Sequence, residues 1–365
     1  MSSKKTHFHG SDIEKVEKVF GIKKDHIVNF STNVNPLGFS PLMRKELVNH
    51  IDVITSYPDR EYSSLRSAIA NYTGSVQDHI FVGNGSTELI SLFLQTAKPK
   101  KAIILGPTYS EYEREISLGG GSFSYFFLKE KDHFVLQTDL LIEELKAHVD
   151  LLVMCNPNNP TSSSIDQNDM RLILDVCQQR DIHVIVDETY VEFTHERDEI
   201  SCVPLTKEYP QLIIIRGVSK FFASPGLRLG YAITSNLNLM KTMETLRNPW
   251  SVNSLADLAG TIMFSDKEFI QDTKRYIIRE RNRMVEALSK LQNIKVYKPT
   301  ANFILFKILK DSITSQDVFQ HCIQNSFLVR DCSSFESLGE RFIRFCVLKE
   351  EDNSRLLHCL TEILQ

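Results

Sequence analysis

Residues 213–231 read Ile-Ile-Ile-Arg-Gly-Val-Ser-Lys-Phe-Phe-Ala-Ser-Pro-Gly-Leu-Arg-Leu-Gly-Tyr. An apolar run leads into a single lysine, Lys220, and Arg228 follows between Gly226 and Gly230. The run is apolar on successive residues rather than alternate ones, so it reads as a strand buried on both faces, in a parallel sheet covered by helices. The strand carries the lysine to the sheet edge. An amine there can condense with an aldehyde, and the arginine after it can reach an anion.

The same texture extends outward. Short apolar runs at 101–106, 151–156, 182–188, 212–217 and 230–234 alternate with helical patterns at 86–97, 138–148 and 167–180. Strands that are apolar throughout and separated by helices predict an α/β fold with a mostly parallel sheet. Beyond about residue 253 the pattern changes. An amphipathic stretch at 266–292 leads to alternating strands at 294–297, 302–307, 328–331 and 342–347, an α+β arrangement. The expected division is an N-terminal arm at 1–45 that packs on the small domain, a large α/β domain at 46–252, and a small α+β domain at 253–365.

The 365 residues are 42% hydrophobic and 24% charged, as in a water-soluble globular protein. The net charge of −4 gives no basic excess for nucleic acid or an anionic membrane. The opening Met-Ser-Ser-Lys-Lys-Thr-His lacks the apolar core of a signal peptide, and no apolar run is long enough to span a bilayer. Seven scattered cysteines, none in a Cys-x-x-Cys, read as reduced thiols rather than disulfides or a metal site. A cytoplasmic enzyme without a metal is expected.

Five further segments carry chemistry. Gly83-Asn84-Gly85-Ser86-Thr87 is a glycine-rich turn into a helix, where backbone amides can meet an anion; it serves as often as a plain helix cap. Tyr109 in Gly106-Pro107-Thr108-Tyr109 follows a strand and can lie on a flat ring, or can be an ordinary rim tyrosine. In Asn156-Pro157-Asn158-Asn159-Pro160-Thr161 two prolines stiffen the loop, so Asn159 can be held at a fixed point. Val184-Ile185-Val186-Asp187-Glu188-Thr189-Tyr190 ends a buried strand with acids, at the edge where open α/β sheets bind ligands. A buried carboxylate needs a partner, and a cationic ring nitrogen would be one for Asp187. Arg330 and Arg344 lie inside apolar strands and ask for a carboxylate or a phosphate, from a ligand or from a protein acid. Together these make one object. Ser86, Thr87, Ser219 and Arg228 are phosphate donors, and Tyr109 is a stacking ring. Asp187 serves a pyridine nitrogen, Asn159 and Tyr190 a ring oxygen, and Lys220 an aldehyde. That object is a site for pyridoxal 5′-phosphate.

The order and spacing resemble the fold type I aminotransferase superfamily over essentially the whole chain, on Asn-Pro-Asn-Asn-Pro-Thr, Asp-Glu-Thr-Tyr and Ser-Lys followed by Gly-Leu-Arg-Leu-Gly. The resemblance implies that family's fold, Lys220, Asp187 and Tyr190 as catalytic residues, and a homodimer with sites at the interface. Tyr57 in Tyr57-Pro58-Asp59 resembles the tyrosine that reaches the neighbouring subunit's cofactor phosphate. Within the superfamily the chain is most similar to the branch holding histidinol-phosphate aminotransferases and threonine-phosphate decarboxylases. His9-Gly10, the segment from Asn29 to Gly38 and Pro225 lean towards the decarboxylases, whose product serves cobamide synthesis. The resemblance then implies that His9, Thr32, Asn159, Arg330 and Arg344 hold a phosphorylated amino acid or amine. Three positions depart from the pattern: Ser11 and Ser162 stand where glycine is usual, and Gly217 where a hydroxyl donor is usual. A cofactor-binding regulator is the alternative of another class. No basic recognition helix precedes the glycine-rich turn to support it, and no Gly-x-Gly-x-x-Gly supports a dinucleotide enzyme.

Overall fold

A computed structural model of the protein describes Phe8 and residues 12–365. His9, Gly10 and Ser11 lie outside the described residues. Thirteen strands are present among them: β1 (Val28–Asn29), β2 (Ile80–Gly83), β3 (Lys101–Gly106), β4 (Ser122–Phe127), β5 (Leu151–Cys155), β6 (His183–Asp187), β7 (Leu212–Gly217), β8 (Gly230–Ile233), β9 (Ile294–Val296), β10 (Phe303–Ile308), β11 (Phe327–Leu328), β12 (Arg330–Asp331) and β13 (Phe342–Cys346).

Seven strands form the large sheet in the order β2-β8-β7-β6-β5-β3-β4. β3 to β7 run parallel, and β8 is antiparallel to both of its neighbours. The central strands β5 and β7 are buried almost throughout, which explains the apolar runs Leu151–Cys155 and Leu212–Ile215. Helices Ser86–Ala97 and Gln167–Gln179 were expected within a residue or so. The second is capped by Asp166, whose side chain accepts from the Asn168 and Asp169 amides. β4 escapes the sequence pattern because it lies at the sheet edge, and its first three residues are exposed.

The C-terminal sheet is antiparallel, in the order β12-β13-β10-β9. β1 pairs in parallel with β11, Val28 opposite Phe327, so the N-terminal stretch joins the C-terminal layer. Helix Lys267–Leu288 bridges the two layers, and Arg281 donates from Nη1 to the carbonyls of Phe193 (3.4 Å) and Ala301 (2.9 Å). No helix among the described residues is long and apolar enough to cross a membrane.

Candidate active site

The C-terminal ends of β2, β3, β5, β6 and β7 and the start of β8 lie at one edge of the large sheet. The register fixes this: Gly83 and Gly217 both stand opposite Gly230, and Cys155 stands beside Asp187. The loops that leave this edge carry the residues singled out above.

Backbone crowding forms a cradle on one side. A Cβ on Gly230 would lie 2.6 Å from the Ser86 amide nitrogen, so the start of helix Ser86–Ala97 presses onto β8. Gly85 has φ +85°, and a Cβ there would lie 2.4 Å from Arg228 Nη2. Glycine at 85 thus lets the guanidinium close over the helix start. Gly85 caps that helix without a side-chain hydrogen bond, which leaves amides of the first turn for an outside acceptor. Arg228 is itself in the left-handed region (φ 55°) and donates from Nη1 to the Pro225 carbonyl, 3.3 Å. The Glu88 carboxylate turns back to the Asn84 amide, 2.5 Å. Ser86 and Thr87 are half-buried on the helix, and Ser219 is half-buried beside Lys220. This donor set suits a phosphate.

Lys220 Nζ donates to the Thr32 carbonyl at 2.7 Å. Burial, and then the charges of Arg344 and Arg228, lower its pKa to about 8. The stretch around Thr32 grips the lysine loop: the Asn35 amide donates to the Lys220 carbonyl (2.9 Å), and Asn35 Nδ2 to the Phe221 carbonyl (2.8 Å). Thr32 therefore meets Lys220 through its carbonyl.

Asp187, 6% exposed, receives three hydrogen bonds. Tyr112 Oη donates to Oδ2 at 2.7 Å, and Thr189 donates to Oδ1 from its amide (2.9 Å) and its hydroxyl (2.6 Å). Burial raises the Asp187 pKa, and these donors oppose the rise. Tyr109 stands edge-on to Tyr112, centroids 5.8 Å apart at 88°. Tyr190 Oη lies 3.3 Å from Asn33 Nδ2, and its ring meets Phe303 edge-on. Burial pushes the Tyr190 phenol up. The Asn-Pro loop divides its amides. Asn156 binds Ile165 through both backbone groups, Asn158 donates to the Pro107 carbonyl at 2.9 Å, and Asn159 accepts from Arg344 Nη1.

Arg344 also donates from Nη2 to the Ser31 carbonyl, 2.8 Å, and its buried Nε has no partner. Arg330 stands opposite Arg344 in the register of β12 and β13. It donates to the Phe8 carbonyl and, at 2.7 Å, to Ser334 Oγ. Each is 5% exposed, and the hydrogen bonds of both go to neutral oxygens. Burial pulls the Arg330 value below the ordinary range.

The structure thus gathers Ser86, Thr87, Arg228, Ser219 and Lys220 beside Asp187, Tyr190 and Asn159, with the two arginines approaching from the C-terminal sheet. Tyr57 is set apart: it is 80% exposed, and its ring lies against Trp250, centroids 4.7 Å apart. His9 falls outside the described residues. Sequence reasoning missed Tyr112, Thr189 and Asn33. Tyr112 lies on the helix that begins two residues after Tyr109, too close along the chain for the sequence pattern to separate their roles. Glu188, the second acid after β6, belongs elsewhere: it is wholly buried and paired with Arg216 at 2.6 Å.

A family model described as aminotransferase class I and II matches residues 25–360. The threonine-phosphate decarboxylase of Salmonella typhimurium strain LT2 is 33% identical over 98% of this chain and 96% of its own length. Among solved structures, the histidinol-phosphate aminotransferase from Clostridium acetobutylicum superposes with a TM-score of 0.86 at 31% identity, covering 92% of this chain and 98% of that one. The L-threonine-O-3-phosphate decarboxylase from Porphyromonas gingivalis superposes with a TM-score of 0.81 at 25% identity, covering 93% and 99%.

Proposed function

The chain belongs to the class I and II aminotransferases, enzymes dependent on pyridoxal 5′-phosphate, and on that premise we propose that it decarboxylates an O-phosphorylated amino acid, L-threonine O-3-phosphate, to an aminoalcohol phosphate. Arg330 and Arg344 carry this reading. Two adjacent buried guanidiniums whose hydrogen bonds go only to neutral oxygens ask for two anions, and a carboxylate and a phosphate on one small molecule supply them. The likeness to the Salmonella decarboxylase along nearly the whole chain supports the same reading.

In this reading Ser86, Thr87, Ser219 and Arg228 hold the cofactor phosphate, Tyr109 covers its ring, and Asp187 faces the ring nitrogen. Asn159 and Tyr190 face the ring oxygen, and Lys220 takes the aldehyde. Bound there, the cofactor supplies an electron sink for a bond broken at the substrate Cα. The side chains decide which bond that is. Arg344 and Arg330, with Asn159, Thr32 and His9, clamp the two anions and fix how the substrate sits. Lys220, with its pKa lowered to about 8, exists in both protonation states near neutral pH, so it can deliver the proton that replaces carbon dioxide on Cα.

The active form is a homodimer in this reading, with the exposed Tyr57 reaching the phosphate of a second copy, and it works in the cytoplasm. The division at 1–45, 46–252 and 253–365 is part of the same reading. The pairing of β1 with β11 supports placing the arm with the C-terminal layer.

A second reading, amine transfer from histidinol phosphate, is favoured by the superposition on the Clostridium enzyme. Here Lys220 would take a proton from Cα instead. Purified protein given L-threonine O-3-phosphate, O-phosphoserine and histidinol phosphate separately, with and without 2-oxoglutarate, separates the two. Carbon dioxide released from phosphothreonine without 2-oxoglutarate is the expected result. Amine transfer from histidinol phosphate with no release of carbon dioxide would replace the first reading by the second.

A further inference from the structure

We propose that Tyr112 is a positioning residue for the cofactor: it holds the Asp187 carboxylate in one orientation at the ring nitrogen and backs the Tyr109 ring. The proposal rests on the reading of Asp187 and Tyr109 given above. Tyr112 lies on helix Glu111–Leu118 and is 1% exposed. Its one phenolic proton goes to Asp187 Oδ2, 2.7 Å away, while Thr189 occupies Oδ1 with two donors. The carboxylate is therefore held at both oxygens and cannot rotate without breaking a buried hydrogen bond. Burial, then the charge of Asp187, pushes the Tyr112 phenol well up, which keeps it a donor. The Tyr112 ring also stands edge-on to Tyr109. One side chain thus braces two groups that face the cofactor.

The other groups around Asp187 do not supply this brace. Glu188, on its own loop, raises the Asp187 pKa, but its carboxylate is turned to Arg216. Tyr190 and Tyr109 feel the Asp187 charge without a hydrogen bond to it, and Cys155 of β5 is pushed up by its own burial. On β7 the register neighbour of Asp187 is the apolar Ile215. Hydrogen bonds to a carboxylate favour its ionised form, whereas burial favours the neutral one. Deleting the Tyr112 hydroxyl therefore raises the Asp187 pKa, and ionised Asp187 is lost at a higher pH as the solution is acidified.

Tyr112→Phe removes the hydroxyl and keeps the ring. Apoenzyme of the wild type, Tyr112→Phe, Thr189→Val and Asp187→Asn is titrated with pyridoxal 5′-phosphate, and the visible spectrum of each holoenzyme is followed against pH. Tyr112→Phe is expected to bind about ten-fold more weakly, the scale of one hydrogen bond to a charged group. Its acid-side spectral transition should move up by roughly one pH unit. Thr189→Val should shift in the same direction. Wild-type affinity and an unmoved transition in Tyr112→Phe, or a lower melting temperature with the spectrum unchanged, would overturn the proposal. The Asp187→Asn arm separates the two levels. If it too binds and absorbs like wild type, the placement of Asp187 at the ring nitrogen fails; if it changes and Tyr112→Phe does not, only the role of Tyr112 fails.

Discussion

Replacing Arg344 should reveal two separate tasks of one side chain. Arg344 donates to Asn159 and Ser31, stands beside Arg330, and is the leading charge that lowers the pKa of Lys220. Arg344→Gln removes the charge and the fork. The loss of a charge-assisted pair to the substrate is worth roughly 1.5–3 kcal/mol. In kcat/KM for the phosphorylated amino acid that is about 10- to 150-fold. The second effect is electrostatic. With a pKa of about 8, only about a tenth of the Lys220 amines are neutral at pH 7. Burial and Arg228 still depress the value in the variant, but the Arg344 contribution is gone, so the pKa rises and the neutral fraction falls. The rate at which apoenzyme takes up pyridoxal 5′-phosphate, followed by absorbance from pH 6 to 10, should climb with pH through a midpoint near 8 in the wild type. In Arg344→Gln the midpoint should come at higher pH. Arg344→Lys keeps a charge without the fork, so it should lose kcat/KM while its uptake profile stays near wild type. If Arg344→Gln had unchanged kcat/KM and an unchanged uptake profile, both the anion clamp and the coupling to Lys220 would be refuted.

Two further perturbations test the scaffold. Gly85→Ala places a Cβ 2.4 Å from Arg228 Nη2 on a backbone with φ +85°. Strain of roughly 1–3 kcal/mol is expected, together with looser cofactor binding as Arg228 is displaced, read as a higher Kd in apoenzyme titration. Arg216→Met removes the guanidinium that pairs with buried Glu188 (2.6 Å) and Glu192 (3.6 Å), all three side chains being almost wholly inaccessible. Urea unfolding should show a loss of about 3–5 kcal/mol, of which the double variant Arg216→Met/Glu188→Gln recovers part. A single variant as stable as wild type would refute the pair as a support of the fold.

The legible parts of the chain were those where one physical requirement dominates. β5, β6 and β7 are buried on both faces along most of their length, so apolar runs of three or more residues mark them as strands of a covered parallel sheet. The edge strand β4 reads Ser-Phe-Ser-Tyr-Phe-Phe and satisfies only one face, so its pattern is weak. The antiparallel turn of β8 has no local signature, because four apolar residues look alike in either direction. The site divides in the same way. Lys220 and Asp187 announce themselves because a charge at the end of an apolar strand is costly without a partner. That Glu188 belongs to Arg216 while Asp187 is left to Tyr112 and Thr189 depends on which face of the chain each side chain leaves. A one-residue difference decides that, and pairing across 28 or 75 positions is invisible until the strands are laid side by side.

The two departures from the family pattern that the structure describes show how the site absorbs local change. Ser162 occupies a position with φ 59°, where glycine is the easy choice. Its hydroxyl accepts from the Thr300 and Ala301 amides (3.1 and 2.9 Å), and its carbonyl from the Thr300 amide and hydroxyl (2.9 and 2.6 Å). Four hydrogen bonds hold a backbone that a side chain would otherwise leave. They also tie the loop of Asn159 to the segment that enters β10, while Arg344 of β13 grips Asn159 itself. Gly217 lacks a hydroxyl, but its Cβ would stand 3.5 Å from Ser86 Oγ, an ordinary contact. The position has room for a side chain, so the missing hydroxyl has no steric cause. Ser162, by contrast, ties the loop of Asn159 to the segment that leads into β10, so hydrogen bonds between the two layers fix how Asn159 and Arg344 meet.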